Sequence, residues 1–134
     1  MVFAMIRDDL SNQLIHLTKG ESKELESRNQ EAFVNLVSIL ITSSLVGGTG
    51  FIKGKFPCVC FSETPAHQIA HLLAQQNEMG TGSKYSPYGV MVSKQWLYHQ
   101  GGLPGIYGPV EQYDALPENM RYRHIRYELH DHYE

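Results

Sequence analysis

The sequence predicts an α+β fold: a single domain with a mixed, twisted sheet, two main amphipathic helices and short additional helices. Three observations predict it. Short apolar runs with strand-like alternation are interleaved with segments of helical periodicity. The segments between the predicted strands are unequal in length, which disfavours a regular doubly wound sheet. A chain of 134 residues with 42% hydrophobic content fits one globular domain, spanning residues 1–134.

Composition and charge argue against several classes of protein. Lysine and arginine total 11 against 14 aspartate and glutamate, so the net charge of −3 offers no basic field to hold a nucleic-acid backbone. Cys58 and Cys60 are too close in sequence for a disulfide framework, which fits a reducing compartment. The apolar N-terminal run stops at Arg7, and no later run reaches membrane-spanning length. We therefore expect a soluble cytoplasmic protein that does not enter a membrane.

The first predicted elements are a strand and a long helix. Residues 13–18 alternate and predict a strand with His16 and Thr18 on the same face. After the charged segment 19–31, apolar residues recur at helical spacing and predict a helix that buries one full stripe. The stripe consists of Phe33, Leu36, Val37, Leu40 and Ile41. The glycine-rich segment 47–50 is expected to end this helix.

The rest of the chain is organised around residues 56–65, Phe-Pro-Cys-Val-Cys-Phe-Ser-Glu-Thr-Pro. Its β-branched and aromatic residues predict a buried strand that stops at Ser62 and Glu63. Thr64 and Pro65 suit the N-cap and the first position of a following helix. Such a junction presents oriented backbone N–H groups to a cleft and is a common place for binding or catalysis. Ser62 and Glu63 would either contact a ligand or only cap and charge the helix.

Shorter elements follow this junction. The second amphipathic helix is expected to extend to about residue 78. A strand over residues 88–92 leads into a short helix over residues 94–100, for which Ser93 is the predicted N-cap. A short strand around residues 106–107 and one or two helical turns come next.

Residues 121–129 have strand character and form the last predicted element. Alternation places Tyr122, His124, Arg126 and Glu128 on one polar face. Tyr122 and Arg126 on this face are predicted to bind a ligand or a partner.

Two alternatives place chemistry on the cysteines. Cys58 and Cys60 share one face of the predicted strand, and His67 and His71 lie one helical turn apart, a combination that could bind zinc. Zinc-binding cysteines usually come from a loop with two to four intervening residues, whereas Cys-Val-Cys in an apolar strand is more typical of a core. We therefore predict no metal and keep these four as candidates for the zinc alternative. A cysteine nucleophile is disfavoured, because burial opposes formation of the thiolate.

A different set of residues could recognise a nucleotide-like ligand. His16, Ser62, Glu63 and a tyrosine, Tyr85 or Tyr88, would lie around one cleft at the ends of neighbouring strands. Histidine can donate to a ribose hydroxyl, tyrosine can stack on a flat ring, and a carboxylate can steer a glycosidic bond. This constellation indicates recognition of a ribosyl and nicotinamide-like ligand.

The order of these motifs resembles the AbiGi-type abortive-phage-resistance family. The resemblance rests on Leu-Ile-His-Leu-Thr at 14–18, Cys-Val-Cys-Phe-Ser-Glu-Thr-Pro at 58–65, Tyr-Ser-Pro-Tyr-Gly-Val-Met-Val-Ser-Lys at 85–94 and Arg-Tyr-Arg-His-Ile-Arg-Tyr-Glu at 121–128. It covers about residues 10–128, which is most of the chain.

One implication of the resemblance is catalytic. The family is loosely similar to ADP-ribosyltransferase-like folds, whose early strand carries a histidine followed by a threonine or tyrosine, as His16 and Thr18 do here. This implies an NAD-dependent toxin or abortive-infection effector, with NAD as cofactor and Glu63 or Glu128 as the essential carboxylate. The family pattern continues into a strand with a Glu-x-Glu-like context, which this sequence does not contain before Glu134.

The other implication, which we favour, is binding without catalysis and without a cofactor. The chain would be a small, phage-encoded phage–bacterium conflict protein that inhibits a bacterial defence complex in the manner of an anti-CRISPR protein. Its eight tyrosines suit a protein interface, because tyrosine supplies contact area at low entropic cost. The expected partner is a protein of a bacterial defence or phage system.

Overall fold

A computed structural model describes residues 9–49, 53–78 and 85–127. Helices and strands follow one another irregularly, which confirms the α+β prediction. In chain order the elements are β1 (Gln13–Leu17), α1 (Leu25–Thr42), α2 (Ala66–Glu78), β2 (Gly89–Ser93), α3 (Lys94–His99), β3 (Ile106–Gly108), α4 (Gln112–Ala115), a 3-10 helix (Glu118–Arg123) and β4 (His124–Arg126). Among these helices of the described residues, none has the length and apolar character needed to cross a membrane.

The strands of the described residues form two two-stranded sheets, where one mixed sheet was expected. β1 pairs antiparallel with β2, and β3 pairs parallel with β4. The chain divides into two compact units. The first comprises Met1–Ser44 and Cys60–Leu97, and the second comprises Leu45–Val59 and Tyr98–Glu134. The assignment of the whole chain to one domain stays a prediction.

In the first unit, strand β1 lies between β2 and the chain segment that contains Ser62. Along one edge it pairs with β2, with His16 opposite Val90. On its other edge the N–H and C=O of Ile15 exchange hydrogen bonds with the C=O and N–H of Ser62, at 3.0 and 2.8 Å. Leu14 and Ile15 point to opposite faces of the strand, yet both are 8% exposed. Both faces of β1 are therefore covered.

The predicted buried strand over residues 56–61 is wrong. The stretch makes isolated bridges at two places, Cys58 with Gly48 in the second unit and Ser62 with β1 in the first. Cys60 between them is exposed, contrary to the predicted core position. β-branched and aromatic composition predicts a strand, but a strand also needs a partner for successive residues, and here each pairing lasts one residue.

The helix predicted after this stretch is confirmed as α2. It begins at Ala66, and the carbonyl of Pro65 accepts from the N–H groups of Gln68 and Ile69, at 3.0 and 3.1 Å. Pro65 therefore precedes the helix as its cap instead of occupying the first helical position. None of the described side chains of α2 is fully buried, and Ile69 and Leu73 are half-buried.

Helix α1 buries a different face from the one predicted. Ala32 is 0% exposed, and Leu36 and Ile39, which lie on the same side of the helix, are half-buried. Much of the apolar sequence expected inside is instead exposed, so the fully buried stripe is wrong. Of the predicted stripe, Phe33 is 43% exposed, Leu40 65% and Ile41 79%, whereas Leu36 and Val37 are half-buried.

Hydrogen bonds explain which side of α1 turns inward. The hydroxyl of Thr18, just after β1, donates to the carbonyl of Ala32 at 2.8 Å. The amide of Asn35 donates to the carbonyl of Lys19 at 2.9 Å. Alanine has the smallest side chain on this part of the helix, so the chain after β1 can approach the helix backbone there. The close approach of this chain segment to α1 at Ala32 therefore determines which face of the helix is buried.

Three shorter predicted elements are confirmed. β2 and the short helix α3 occur where they were expected, and the hydroxyl of Ser93 accepts from the N–H of Trp96 at 3.1 Å, as an N-cap does. Gly101 follows α3 with φ of 87°, a left-handed conformation that ends the helix. β3 also lies at the predicted place.

The C-terminal strand differs from its prediction. The 3-10 helix continues through Arg123, so β4 has only three residues, and the last part of the predicted strand lies outside the described residues. His124, the first residue of β4, is buried, at 1% exposed, instead of lying on a polar face, whereas Arg126 two residues later is exposed. The ring of His124 packs edge-on against Tyr113, with centroids 5.9 Å apart.

Candidate functional site

The first unit contains most of the predicted nucleotide constellation. His16 lies on β1 and Thr18 just beyond it. Ser62 and Glu63 lie on the adjoining stretch, and Tyr88 immediately precedes β2. Tyr85, the other candidate tyrosine, is 42% exposed in the same unit.

The ring of His16 is fixed by the adjoining stretch. Its Nδ1 lies 2.8 Å from the carbonyl oxygen of Cys60. Because a carbonyl only accepts, Nδ1 carries the proton in this bond, and Nε2 of the neutral ring is an acceptor. The ring also contacts Phe61, with centroids 5.6 Å apart. A ribose hydroxyl would thus donate to Nε2, the reverse of the polarity expected from the sequence.

Thr18 is part of the packing between β1 and α1. It is 4% exposed, and its hydroxyl donates to Ala32, with the carbonyl oxygen of Tyr88 also 3.2 Å away. The backbone N–H of Thr18 bonds the same Tyr88 carbonyl at 2.9 Å. The side chain is therefore occupied by backbone contacts and has a structural role here.

Ser62 and Glu63 make local contacts. The hydroxyl of Ser62 accepts from the N–H of Thr64 at 3.1 Å, a turn that leads toward α2. The carboxylate of Glu63 lies 3.3 Å from the ammonium of Lys94, and the two side chains are 42% and 35% exposed. A partly exposed pair of this kind is weak and can exchange partners. The contacts favour the interpretation that these residues shape and charge the junction.

The sequence did not predict a cavity at the N-terminal end of α1. Tyr88 forms one wall, and the volume is about 400 Å³. The lining residues are Glu24, Leu25, Glu26, Asn29, Gln30 and Tyr88. Tyr88 also contacts Phe33, with ring centroids 5.4 Å apart in an edge-on arrangement. The chemical groups that line the cavity are carboxylates, amides, one aliphatic side chain and one aromatic ring.

Glu24 is the N-cap of α1 and keeps a negative charge at this cavity. Its carboxylate accepts from the N–H groups of Ser27 and Glu26, at 2.6 and 2.9 Å. Hydrogen bonding, first from the side chain of Ser27 and then from these N–H groups, lowers the pKa of Glu24 below its usual 4.5. Glutamate is less common than serine or aspartate as an N-cap, which is why sequence patterns alone did not identify it.

The remaining predicted binding residues belong to the second unit. Tyr122 is half-buried in the 3-10 helix, and its carbonyl oxygen lies 3.6 Å from the thiol of Cys58. Arg126 is exposed on β4. Glu128, the late carboxylate expected in the transferase alternative, lies outside the described residues.

The candidates for zinc divide between the two units. Cys58 belongs to the second unit, while Cys60, His67 and His71 belong to the first. Throughout residues 9–49, 53–78 and 85–127, no three histidine, cysteine, aspartate or glutamate side chains lie close enough to hold a metal ion. His67 and His71 instead line a cavity of about 300 Å³ on the exposed side of α2, together with Gln68 and Leu72.

Comparisons with protein-family models, with curated proteins and with solved structures found no match to this chain. The resemblance to the AbiGi-type family therefore stays a prediction.

Proposed function

We propose that this chain acts by binding a protein partner in a phage–bacterium conflict, as a small cytoplasmic inhibitor of a bacterial defence complex of the anti-CRISPR type. The observation that supports binding is the exposed apolar side of α1, which we call the outer face. It consists of Phe33, Val34, Leu40 and Ile41, which are exposed, together with Val37, which is half-buried between them. The class of partner comes from the family resemblance.

The outer face has the character of an interface. Its residues recur three and four positions apart, so they form one stripe along the helix. No charged side chain interrupts residues 33–42. Contiguous exposed apolar surface of this kind marks interaction sites, and burying one large aliphatic or aromatic side chain is worth about 1.5–3 kcal/mol. A partner that covers the stripe would gain from several such side chains.

The contacts of the first unit support binding more than ADP-ribosyl transfer. The hydroxyl of Thr18 is committed to Ala32, and Nδ1 of His16 bonds the backbone. The carboxylate of Glu63 faces Lys94. The transferase remains the alternative, with NAD as its cofactor. Calorimetric titration of NAD into the wild type and into His16→Ala tests it: binding that His16→Ala abolishes would favour the alternative.

The proposed function is tested by phage plating on hosts that each carry one active CRISPR–Cas system directed at the phage. We expect expression of the wild type to restore plaques on at least one host. The double variant Val34→Glu, Ile41→Glu should fail to do so, because it places two charges on the outer face. A matched control, Gln68→Glu with Gln75→Glu, adds the same charge to exposed positions of α2 and should act like the wild type.

Two outcomes would contradict the proposal. One is a wild type that restores plaques on none of the hosts. The other is a Val34→Glu, Ile41→Glu variant, expressed at the wild-type level, that restores them fully.

A further inference from the structure

We propose that His67 and His71 on α2 together bind a divalent transition-metal ion of the class that prefers nitrogen ligands, which includes Zn²⁺, Ni²⁺ and Cu²⁺. The inference combines the spacing of the two histidines, the cavity that both of them line and the chemistry of that cavity. It concerns a different surface from the outer face of α1 and does not depend on the proposed function. It also differs from the four-residue zinc site considered from the sequence, because neither cysteine takes part.

The helix places the two imidazoles on the same side. α2 runs from Ala66 to Glu78, so both histidines lie in its first two turns. Residues four positions apart are separated by about 40° around a helix axis and about 6 Å along it, which makes them neighbours on the helix surface. Two histidines at this spacing bind one ion in helical zinc sites. The regular helix therefore positions both ligands before an ion arrives.

The space beside the two histidines is accessible to an ion and to its water. His67 and His71 are both exposed and line a cavity of about 300 Å³, together with Gln68 and Leu72. Neither imidazole makes a hydrogen bond, an ion pair or a ring contact with another of the described residues. Their ring nitrogens are thus available as ligands. The amide oxygen of Gln68 can accept a hydrogen bond from water on the ion.

The chemistry of the cavity selects the kind of ion. Imidazole nitrogen is a good ligand for Zn²⁺, Ni²⁺ and Cu²⁺, whereas Mg²⁺ and Ca²⁺ prefer carboxylate and carbonyl oxygens. Among the described side chains that line this cavity, none is a carboxylate. We therefore expect the site to bind Zn²⁺ and to leave Mg²⁺ in solution.

Two protein ligands make this an open site. Zn²⁺ usually has four ligands, and its catalytic sites take three of them from the protein. Within residues 9–49, 53–78 and 85–127, no third histidine, cysteine, aspartate or glutamate lies close enough to join the pair. Water fills the other positions of the ion. Binding is therefore weaker than in a closed structural site, and the ion exchanges with solution.

The test titrates ZnCl₂ into the full chain by calorimetry, with MgCl₂ as the ion that should not bind. His67→Gln and His71→Gln should each weaken zinc binding by at least about tenfold, because even changes outside the ligand shell cost about 10–100-fold in metal affinity. The double variant should be little worse than either single one, since one imidazole alone does not chelate. Both positions are exposed, so these variants should keep the fold.

A variant of unchanged composition tests the spacing. His71→Leu with Leu72→His exchanges two exposed neighbours and moves the second imidazole to five positions from His67. Five positions correspond to about 140° around the helix axis, so the two rings no longer face one ion. This variant should bind zinc as weakly as His71→Gln. Zinc should also raise the unfolding midpoint of the wild type and not that of the exchanged variant, because an ion that binds only the folded state stabilises it.

A second pair of closely spaced histidines supplies the matched control. His130 and His132 lie outside the described residues, and His130→Gln with His132→Gln should retain the zinc binding that His67→Gln removes.

Three outcomes would overturn the inference. One is a wild type that binds no zinc, and another is an affinity that His67→Gln and His71→Gln leave unchanged. The third is an exchanged variant that binds as tightly as the wild type, which would show that the histidines act separately. Binding that disappears only in the His130→Gln, His132→Gln variant belongs to the second of these outcomes. None of them bears on the plating assay, which tests the outer face of α1.

Discussion

The hydroxyl of Thr18 donates a hydrogen bond to the carbonyl oxygen of Ala32, 2.8 Å away. Both residues are buried, at 4% and 0% exposed. The bond joins the end of β1 to the middle of α1 and turns the alanine side of the helix inward. The apolar residues that flank Ala32 consequently face outward, where we propose that they bind a partner.

The first prediction concerns this bond. Thr18→Val keeps the shape of the side chain and removes the hydroxyl, so we expect a loss of about 1–2 kcal/mol in the free energy of unfolding, measured with urea by circular dichroism. Thr42→Val is the matched control, because the Thr42 hydroxyl also donates to a helix carbonyl, that of Ser38, but at an exposed position. The control should change stability by less than about 0.5 kcal/mol. Equal losses of stability in the two variants would show that the buried Thr18 bond stabilises the protein no more than the exposed Thr42 bond does.

A second prediction concerns pH. The carboxylate of Glu31 accepts from the Ser22 hydroxyl and from the N–H groups of Glu21 and Ser22, the latter two at 2.7 and 3.1 Å. These donors, the hydroxyl first, lower the pKa of Glu31 below its usual 4.5. A carboxyl with a lowered folded pKa stabilises the fold above the unfolded pKa, and this contribution is lost as the pH falls through the folded pKa.

Glu31→Gln should therefore be less stable than the wild type near neutral pH. The difference should shrink as the pH falls below 4.5 and disappear below the folded pKa. Urea unfolding of both proteins across this range measures it. Ser22→Ala removes the hydroxyl donor and keeps the two N–H donors. Its loss of stability relative to the wild type should be smaller than that of Glu31→Gln and should also shrink as the pH falls. A difference that stays constant with pH would contradict the assignment.

A third prediction uses a buried hydroxyl. Ser86 is 0% exposed, and its hydroxyl has no hydrogen-bond partner among the described residues. Burying an unpaired hydroxyl is unfavourable, so Ser86→Ala should leave stability unchanged or raise it by up to about 2 kcal/mol. Ser62→Ala, which removes an acceptor of the Thr64 N–H, should instead lower it by about 1 kcal/mol. If Ser86→Ala were the more damaging of the two, Ser86 would have a partner.

A fourth prediction concerns the pairing of β1 with β2. A Cβ added at Gly89 would lie 2.5 Å from the carbonyl oxygen of His16, a backbone atom that cannot move without opening the ladder. Gly89→Ala should therefore cost about 1–3 kcal/mol. At Gly48 an added Cβ meets nothing within 4 Å, so Gly48→Ala should be tolerated. Thermal unfolding of both variants distinguishes them, and similar midpoints would contradict the close approach at Gly89.

Local patterns predicted several elements correctly. The alternation of residues 13–18 gave β1, and Ser93 marked the start of α3 because an N-cap acts within three residues. The stretch 56–61 failed because a strand depends on a distant partner, which composition does not reveal. His124 was misplaced because strand alternation does not reveal that its ring packs against the buried Tyr113.

The candidate site was predicted only in part. His16, Ser62 and Tyr88 do lie in one unit, but the role of Thr18 could not be foreseen, because its hydroxyl bonds a backbone carbonyl of a helix far along the sequence. Apolar periodicity correctly predicted α1, yet it did not tell which side is buried. That choice followed from the small side chain of Ala32, which hydrophobicity alone does not single out.

The stability of Val34→Glu, Ile41→Glu tests most directly whether the outer face of α1 is exposed. We expect a free energy of unfolding within about 1 kcal/mol of the wild type, as for surface substitutions. Ala32→Glu, which places a carboxylate on the inward side, should prevent folding or destabilise by more than about 3 kcal/mol. A comparable loss in Val34→Glu, Ile41→Glu would mean that this face is buried, and would remove the basis of the proposed binding surface.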